Sequence, residues 1–185
     1  FSAQNAEAEF DTLLSGNYQI AKRSIINCVT AEKKTFFALN DVVIKNHSSR
    51  LVRLEVFTTK EPVNEYFCDG LVFSTPTGST AYNMSAGGPI IHPTAKVLAM
   101  TPICPHTLSN RSVIFDHEEI LNVKLHADDH DVVLNIDGRS SFEKKGDFPL
   151  QISVSDKSFL LMLQNDYSHF KLIRSKLHWT GDSIG

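Results

Sequence analysis

Hydroxyls, glycines and an acid are packed most densely in Asp69-Gly-Leu-Val-Phe-Ser-Thr-Pro-Thr-Gly-Ser-Thr-Ala-Tyr-Asn-Met-Ser-Ala-Gly-Gly-Pro89. Leu71-Val72-Phe73 is an apolar run of the kind that fills a buried strand, and Pro76 and Gly78 force a turn after it. A short helix is expected next, with Ser79 or Thr80 as N-cap and Gly87-Gly88-Pro89 as its stop. Such a turn offers a ligand backbone N–H groups at a helix start, the hydroxyls of Ser74, Thr75, Thr77, Ser79 and Thr80, and the carboxylate of Asp69. That set suits a polyhydroxylated ligand, with a hydroxyl-rich turn serving the fold alone as the alternative. It is not a Walker A loop, because that loop needs a lysine for the phosphates and none lies between Lys60 and Lys96. Nor is there a Gly-x-Ser-x-Gly nucleophile elbow, so the eight histidines find no hydrolase nucleophile of that kind.

Three other groups could do chemistry. Asn40-Asp41 opens an apolar strand; an amide beside a carboxylate can satisfy two vicinal hydroxyls as donor and acceptor, or it can simply satisfy its own turn. Tyr82 offers a ring for stacking and a hydroxyl for orientation, and would serve equally as a core aromatic. His126-Ala-Asp-Asp-His-Asp131 crowds imidazoles and carboxylates together as a metal site would, but joins two strands where Asp is favoured for backbone reasons, and no metal site is assigned.

The order of residues in the long run, Asp-Gly followed by three apolar residues and Ser-Thr-Pro-Thr-Gly-Ser-Thr-Ala-Tyr, then Ser-Ala-Gly-Gly-Pro, closely resembles the signature of the NAD kinases. The resemblance extends to Asn40-Asp41, which is similar to the family's Asn-Glu/Asp motif. It continues through Thr101-Pro-Ile-Cys-Pro-His-Thr-Leu-Ser-Asn-Arg111 and Asp137-Gly138, so that matches run across most of residues 10–178. The resemblance implies that Asn40, Asp41, Asp69 and the Thr80-Ala81-Tyr82-Asn83-Met84-Ser85 helix start hold the dinucleotide. Arg139 stands where the family has glutamine after Asp-Gly; its fixed charge could meet a phosphate, at the loss of the amide's acceptor. Arg111 is followed by Ser112 where the family has proline, a difference expected to be structural.

The family's Gly-Gly-Asp-Gly-Thr segment, whose aspartate is taken as the base, is absent: the one Gly-Gly is 87–88, and the Asp-Gly pairs are 69–70 and 137–138. The chain therefore resembles the C-terminal domain of an NAD kinase without its Rossmann-like N-terminal domain. The resemblance implies phosphoryl transfer from ATP or polyphosphate, with Mg²⁺, to the adenosine ribose 2′-hydroxyl of NAD, giving NADP. It also implies a homodimer or homotetramer. No catalytic residue is assigned within the chain, which is expected to bind NAD weakly and not to turn over alone. A non-catalytic nucleotide-sensing or oligomerisation module, and a lipid-kinase-like domain, are the alternatives.

The elements that would position these groups follow from periodicity. Residues 4–14 place Ala6, Phe10, Leu13 and Leu14 on one helical face, ended by Gly16-Asn17. Strand-like runs follow at 18–30, 34–45 and 51–58, with Lys60-Glu61-Pro62 ending the last. Val97–Ile103 is expected as a strand or short extended segment that Pro102 and Pro105 confine to an edge or end. Short strands are expected at 112–115, 120–127, 132–137, 150–154 and 159–163, separated by polar turns. A helix over 166–179, capped by Asp166, presents Tyr167, Phe170, Ile173 and Leu177 on one stripe. Many short strands with few helices predict a mostly β, α+β, β-sandwich-like domain spanning 1–185, as the resemblance also implies.

At 185 residues and 42% hydrophobic content the chain can bury a sizeable core. A net charge of −3 gives no basic surface for nucleic acid. No apolar run approaches a membrane span, and residues 1–7 lack the features of a signal peptide. Cys28, Cys68 and Cys104 form no C-x-x-C and fit a reduced, cytoplasmic setting, with Cys104 expected to fill space beside the pocket.

Overall fold

The structure is a computed structural model that describes residues 10, 11, 14–47, 50–107, 111–127, 132–142 and 147–179. Its contacts divide the chain into two compact units, one of Arg23–Phe159 and one of Phe1–Lys22 with Leu160–Gly185.

Among the described residues, twelve strands form two six-stranded antiparallel sheets. They are β1 (Tyr18–Val29), β2 (Thr35–Ala38), β3 (Asp41–Asn46), β4 (Val52–Phe57), β5 (Pro62–Cys68), β6 (Gly70–Ser74), β7 (Val97–Ile103), β8 (Val113–Asp116), β9 (Leu121–Leu125), β10 (Val132–Ile136), β11 (Arg139–Phe142) and β12 (Leu150–Gln164). One sheet has the order β2-β1-β12-β9-β4-β5 and the other β11-β10-β3-β6-β7-β8. Helix α1 (Tyr82–Ser85) follows β6, and helix α2 (His169–Lys176) follows β12. The expected mostly β fold with few helices is what the chain adopts.

The larger unit owes its core to period-2 alternation. Val42 and Ile44 of β3, Leu71 and Phe73 of β6, Leu98 and Met100 of β7 and Leu134 of β10 meet Leu54 and Val56 of β4, Leu121 and Val123 of β9 and Ile152 of β12 in one cluster. Each large side chain buried there contributes about 2 kcal/mol by leaving water. The second sheet also buries part of its other face: Val72, Ser74, Ala99 and Thr101 are enclosed as well. All five residues of β6 are buried, which is why its sequence reads as an unbroken apolar run.

Several sequence expectations need correction. The run 34–45 is two strands, β2 and β3, because the chain bends at Leu39-Asn40. Lys60-Glu61-Pro62 does end β4, yet β5 starts at Pro62 and its exposed Asn64, Glu65 and Phe67 hide an edge strand from a hydrophobicity reading. The two runs 150–154 and 159–163 are one 15-residue strand, since Ser155-Asp156-Lys157-Ser158 holds neither Gly nor Pro to break it. Pro102 lies in a strand between two others, facing Leu71 of β6; β8 pairs only with Val97–Met100, so no strand requires an N–H from Pro102 on the side away from β6.

In the smaller unit, Ser168 caps α2 by accepting from the Lys171 N–H, in place of the expected Asp166, and only Ile173 of the predicted stripe is fully buried. Phe10, Asp11 and Leu14 are helical, but most of the helix expected at 4–14 lies outside the described residues. So does most of the 126–131 stretch; among the described residues no group of three or more His, Cys, Asp or Glu could hold a metal ion. No helix among the described residues is long and apolar enough to cross a membrane.

Candidate functional site

The site is built around the bend between β2 and β3. Asp137, the residue just after β10, turns its carboxylate onto that bend: Oδ2 accepts from the Leu39 N–H at 2.7 Å, and Oδ1 from the N–H groups of Asn40 at 2.7 Å and Asp41 at 3.1 Å. Asp137 and Gly138 have φ of +47° and +76°, the pair of positive values that a two-residue hairpin turn demands, and Ile136 pairs with Arg139 across it. The hairpin to β11 thus places the acid where three N–H groups converge.

The other wall is the segment after β6. Thr75 Oγ1 donates to the Leu39 carbonyl at 2.7 Å and accepts from the Gly78 N–H at 3.0 Å, while the Thr75 N–H donates to the Asn40 carbonyl at 2.9 Å. Gly78 lies so close to the bend that a Cβ there would sit 2.0 Å from the Asn40 carbonyl oxygen. Gly78–Thr80 make one 3₁₀ turn before α1, and neither has a side-chain cap. The expected capping by Ser79 or Thr80 is therefore corrected: Ser79 Oγ donates to the Pro76 carbonyl at 2.7 Å and accepts from the Ile91 N–H at 3.0 Å, pinning the loop that returns after α1. Ser74, Thr75 and Ser79 are fully buried and spend their hydroxyls within the protein, so three of the five hydroxyls expected to face a ligand hold the wall instead. Gly87, at φ +83°, ends α1 as expected.

Between these walls lies an open groove of about 460 Å³ lined by Asn40, Asp41, Val43, Lys45, Ala81, Tyr82, Asn135, Asp137 and Gly138. A second hollow, of about 320 Å³, is lined by Lys45, Asn46, His47, Arg50, Asp69, Tyr82 and Ile103. Tyr82, 43% exposed, belongs to both. Asp41 is nearly buried, and its carboxyl is raised above the usual carboxylate range by burial first and by the charge of Asp137 second, against the pull of the Tyr82 backbone N–H. The site holds a carboxylate at some electrostatic cost beside an unshielded aromatic ring. Such pairing of partial burial with a like charge recurs where a ligand is to be gripped.

Of the sequence-predicted residues, the fold brings Asn40, Asp41, Ala81 and Tyr82 to one groove, and Asp69 to the adjoining hollow. There the Asp69 backbone bridges β7 and β3, its N–H donating to the Ile103 carbonyl and its carbonyl accepting from the Asn46 N–H. Thr80, Asn83, Met84, Ser85 and Arg139 line neither hollow. Asn83 is fully buried: its amide donates to the Ser79 and Pro89 carbonyls and accepts from Thr101 Oγ1 at 2.7 Å, anchoring α1 to β7. Cys104 is exposed, at φ +44°, which corrects the expected space-filling role. Sequence reasoning missed Val43, Lys45 and Asn135 as lining residues, and the grip of Asp137. Alternation from Asp41 puts Val43 and Lys45 on its own strand face, and Asp-Gly between apolar runs signals a hairpin.

A family model described as the ATP-NAD kinase C-terminal domain matches residues 39–163, spanning the bend, both walls and the hairpin. The chain belongs to that family. It is 33% identical over 184 residues to an NAD kinase of Campylobacter jejuni subsp. doylei, covering 97% of this chain and 63% of the relative. It is 36% identical over 171 residues to an NAD kinase of Geotalea daltonii, covering 90% of this chain and 60% of the relative. The chain thus spans less than two thirds of the length of these curated relatives. Among solved structures, yeast NADH kinase complexed with NADH superposes at a TM-score of 0.86 with 26% identity, covering all of this chain and 56% of the yeast chain. An NAD kinase from Archaeoglobus fulgidus in complex with ATP shares the fold at a TM-score of 0.82 and 20% identity, over 97% of this chain and 68% of its own. The ATP-NAD kinase C-terminal domain is thus built here around an acid-held bend and a half-exposed tyrosine.

Proposed function

We propose that this domain binds NAD with the adenosine ribose against Asn40 and Asp41, presenting the 2′-hydroxyl for phosphorylation by ATP or polyphosphate to give NADP. The observation that carries the proposal is the bend itself. Asp137 fixes the backbone of Leu39, Asn40 and Asp41, and the Tyr82 N–H holds the Asp41 carboxylate, so an amide and an acid are presented with little freedom left to lose on binding. Asn40 would donate to one ribose hydroxyl and Asp41 accept from its neighbour, while Tyr82 supplies a face for the base. The naming of the yeast neighbour as an NADH kinase in complex with NADH supports the same ligand class.

Phosphoryl transfer of this kind rests on positioning and charge neutralisation. The domain's share is the positioning. Mg²⁺ would travel with the donor's phosphates, since among the described residues no group of three or more His, Cys, Asp or Glu could hold it. The base that takes the hydroxyl proton is assigned outside these residues, as are the donor contacts. A cytoplasmic homodimer or homotetramer is the assembly we propose.

Calorimetric titration of NAD into the chain is the test. Measurable binding is expected, with Asn40→Ala and Asp41→Ala each weakening it by about tenfold or more, the loss of one hydrogen bond to a charged or well-held group. Heat from lipid but none from NAD would overturn the proposal. With ATP, Mg²⁺ and NAD together the chain is expected to form no NADP; product formation would place the base within these residues.

A further inference from the structure

The face of β3 that carries Asp41 and Val43 ends in Lys45, two and four residues on, so the three side chains stand in line along one face of the strand. Charge changes along that line. The groove at the bend carries two acids, Asp41 and Asp137, and Lys45 is the one lysine or arginine among its lining residues. Beyond Tyr82 the adjoining hollow carries Arg50 and His47 with a single acid, Asp69. Lys45 and Tyr82 alone line both, so the boundary between the two hollows is an aromatic ring beside one cation. Lys45 is exposed, and no ion pair among the described residues engages it.

A ligand with two sugar–base halves joined by phosphates, seated with one ribose at the acidic end, has its anionic linker at that boundary. Carboxylates suit neutral hydroxyls and repel phosphate, whereas an ammonium free of partners is the group that gains most from a phosphate oxygen. We propose that Lys45 is a further substrate-positioning residue, meeting the pyrophosphate of a dinucleotide that straddles Tyr82. The proposal rests on the NAD-binding assignment above and adds the direction in which the ligand lies: adenosine toward Asn40 and Asp41, the second nucleoside toward Asp69 and Arg50.

Calorimetry with two probes, NAD and adenosine, tests it on the full chain and on Lys45→Ala and Lys45→Arg. Lys45→Ala is expected to weaken NAD about tenfold, to leave adenosine unchanged, and to flatten the dependence of NAD affinity on salt. Lys45→Arg is expected to recover most of the affinity, because it keeps the charge. The melting temperature is expected to stay put, since the side chain packs against no core. An unchanged NAD affinity in Lys45→Ala, or an equal loss for adenosine, would overturn the role of Lys45 while leaving the groove intact. Failure of the unmodified chain to bind either probe is a different result, which would remove the groove assignment and the proposal together.

Discussion

Asp41 shows how an acid lining the groove is kept at a cost to the fold. Its carboxyl is raised by burial and by the neighbouring charge of Asp137, so the native state holds the Asp41 proton more tightly than the unfolded chain does. The sign follows from linkage. Stability from this group is present below its unfolded pKa and is lost as pH rises through its higher folded value. Asp41→Asn removes that loss while keeping an acceptor for the Tyr82 N–H. The variant is expected to melt above the unmodified protein at neutral pH, with the gap closing as pH falls into the carboxylate range, and to bind NAD more weakly. Thermal melts over a pH series check the first part and calorimetry the second. A lower melting temperature at neutral pH would mean that bonds to the ionised carboxylate outweigh its burial. Stability gained where function is lost is the expected pattern for a residue under local electrostatic strain.

At the scale of elements, the approach of the 3₁₀ turn to the β2–β3 bend decides whether a groove exists. A methyl group at Gly78 would lie 2.0, 2.4 and 2.6 Å from the carbonyl oxygen, carbonyl carbon and Cα of Asn40, all backbone atoms that cannot swing aside. Gly78→Ala is expected to cost about 2–3 kcal/mol in urea unfolding and to abolish ligand binding by splaying the walls. A variant as stable as the parent would show that the two segments part easily. The sequence makes the inner strands plain, because β3, β6, β7 and β10 owe their positions to apolar alternation or an unbroken apolar run. It conceals β5 and β11, whose positions are set by neighbours and not by their own hydrophobicity. Asn40, Asp41 and Tyr82 are legible from their types and order. Lys45 and Asn135 are not, because a polar residue on a strand gains meaning only once its register is known: Asn135 faces Val43, and Lys45 faces Val133. The capping expectation failed because hydroxyls near a helix start served a returning loop instead, a partner twelve residues away that no local pattern announces.

For the molecule as a whole, its three thiols report on packing. Cys28 and Cys68 are buried and Cys104 is exposed, and burial pushes the Cys68 thiol up to about 12. A disulfide reagent is therefore expected to label one thiol quickly in the native protein and all three after unfolding, since only a thiolate in contact with solvent reacts. Two fast thiols would indicate that the sheet beneath Cys68 opens readily. The same global packing makes the grip of Asp137 on the β2–β3 bend a long-range event, spanning 96 to 98 residues of chain. During synthesis the amide and acid of that bend leave the ribosome well before their clamp does. On the proposed function, nucleotide capture would wait for β10 to dock on β3, so a held nucleotide would certify a finished sheet, and any polypeptide released short of residue 137 would be blind to it.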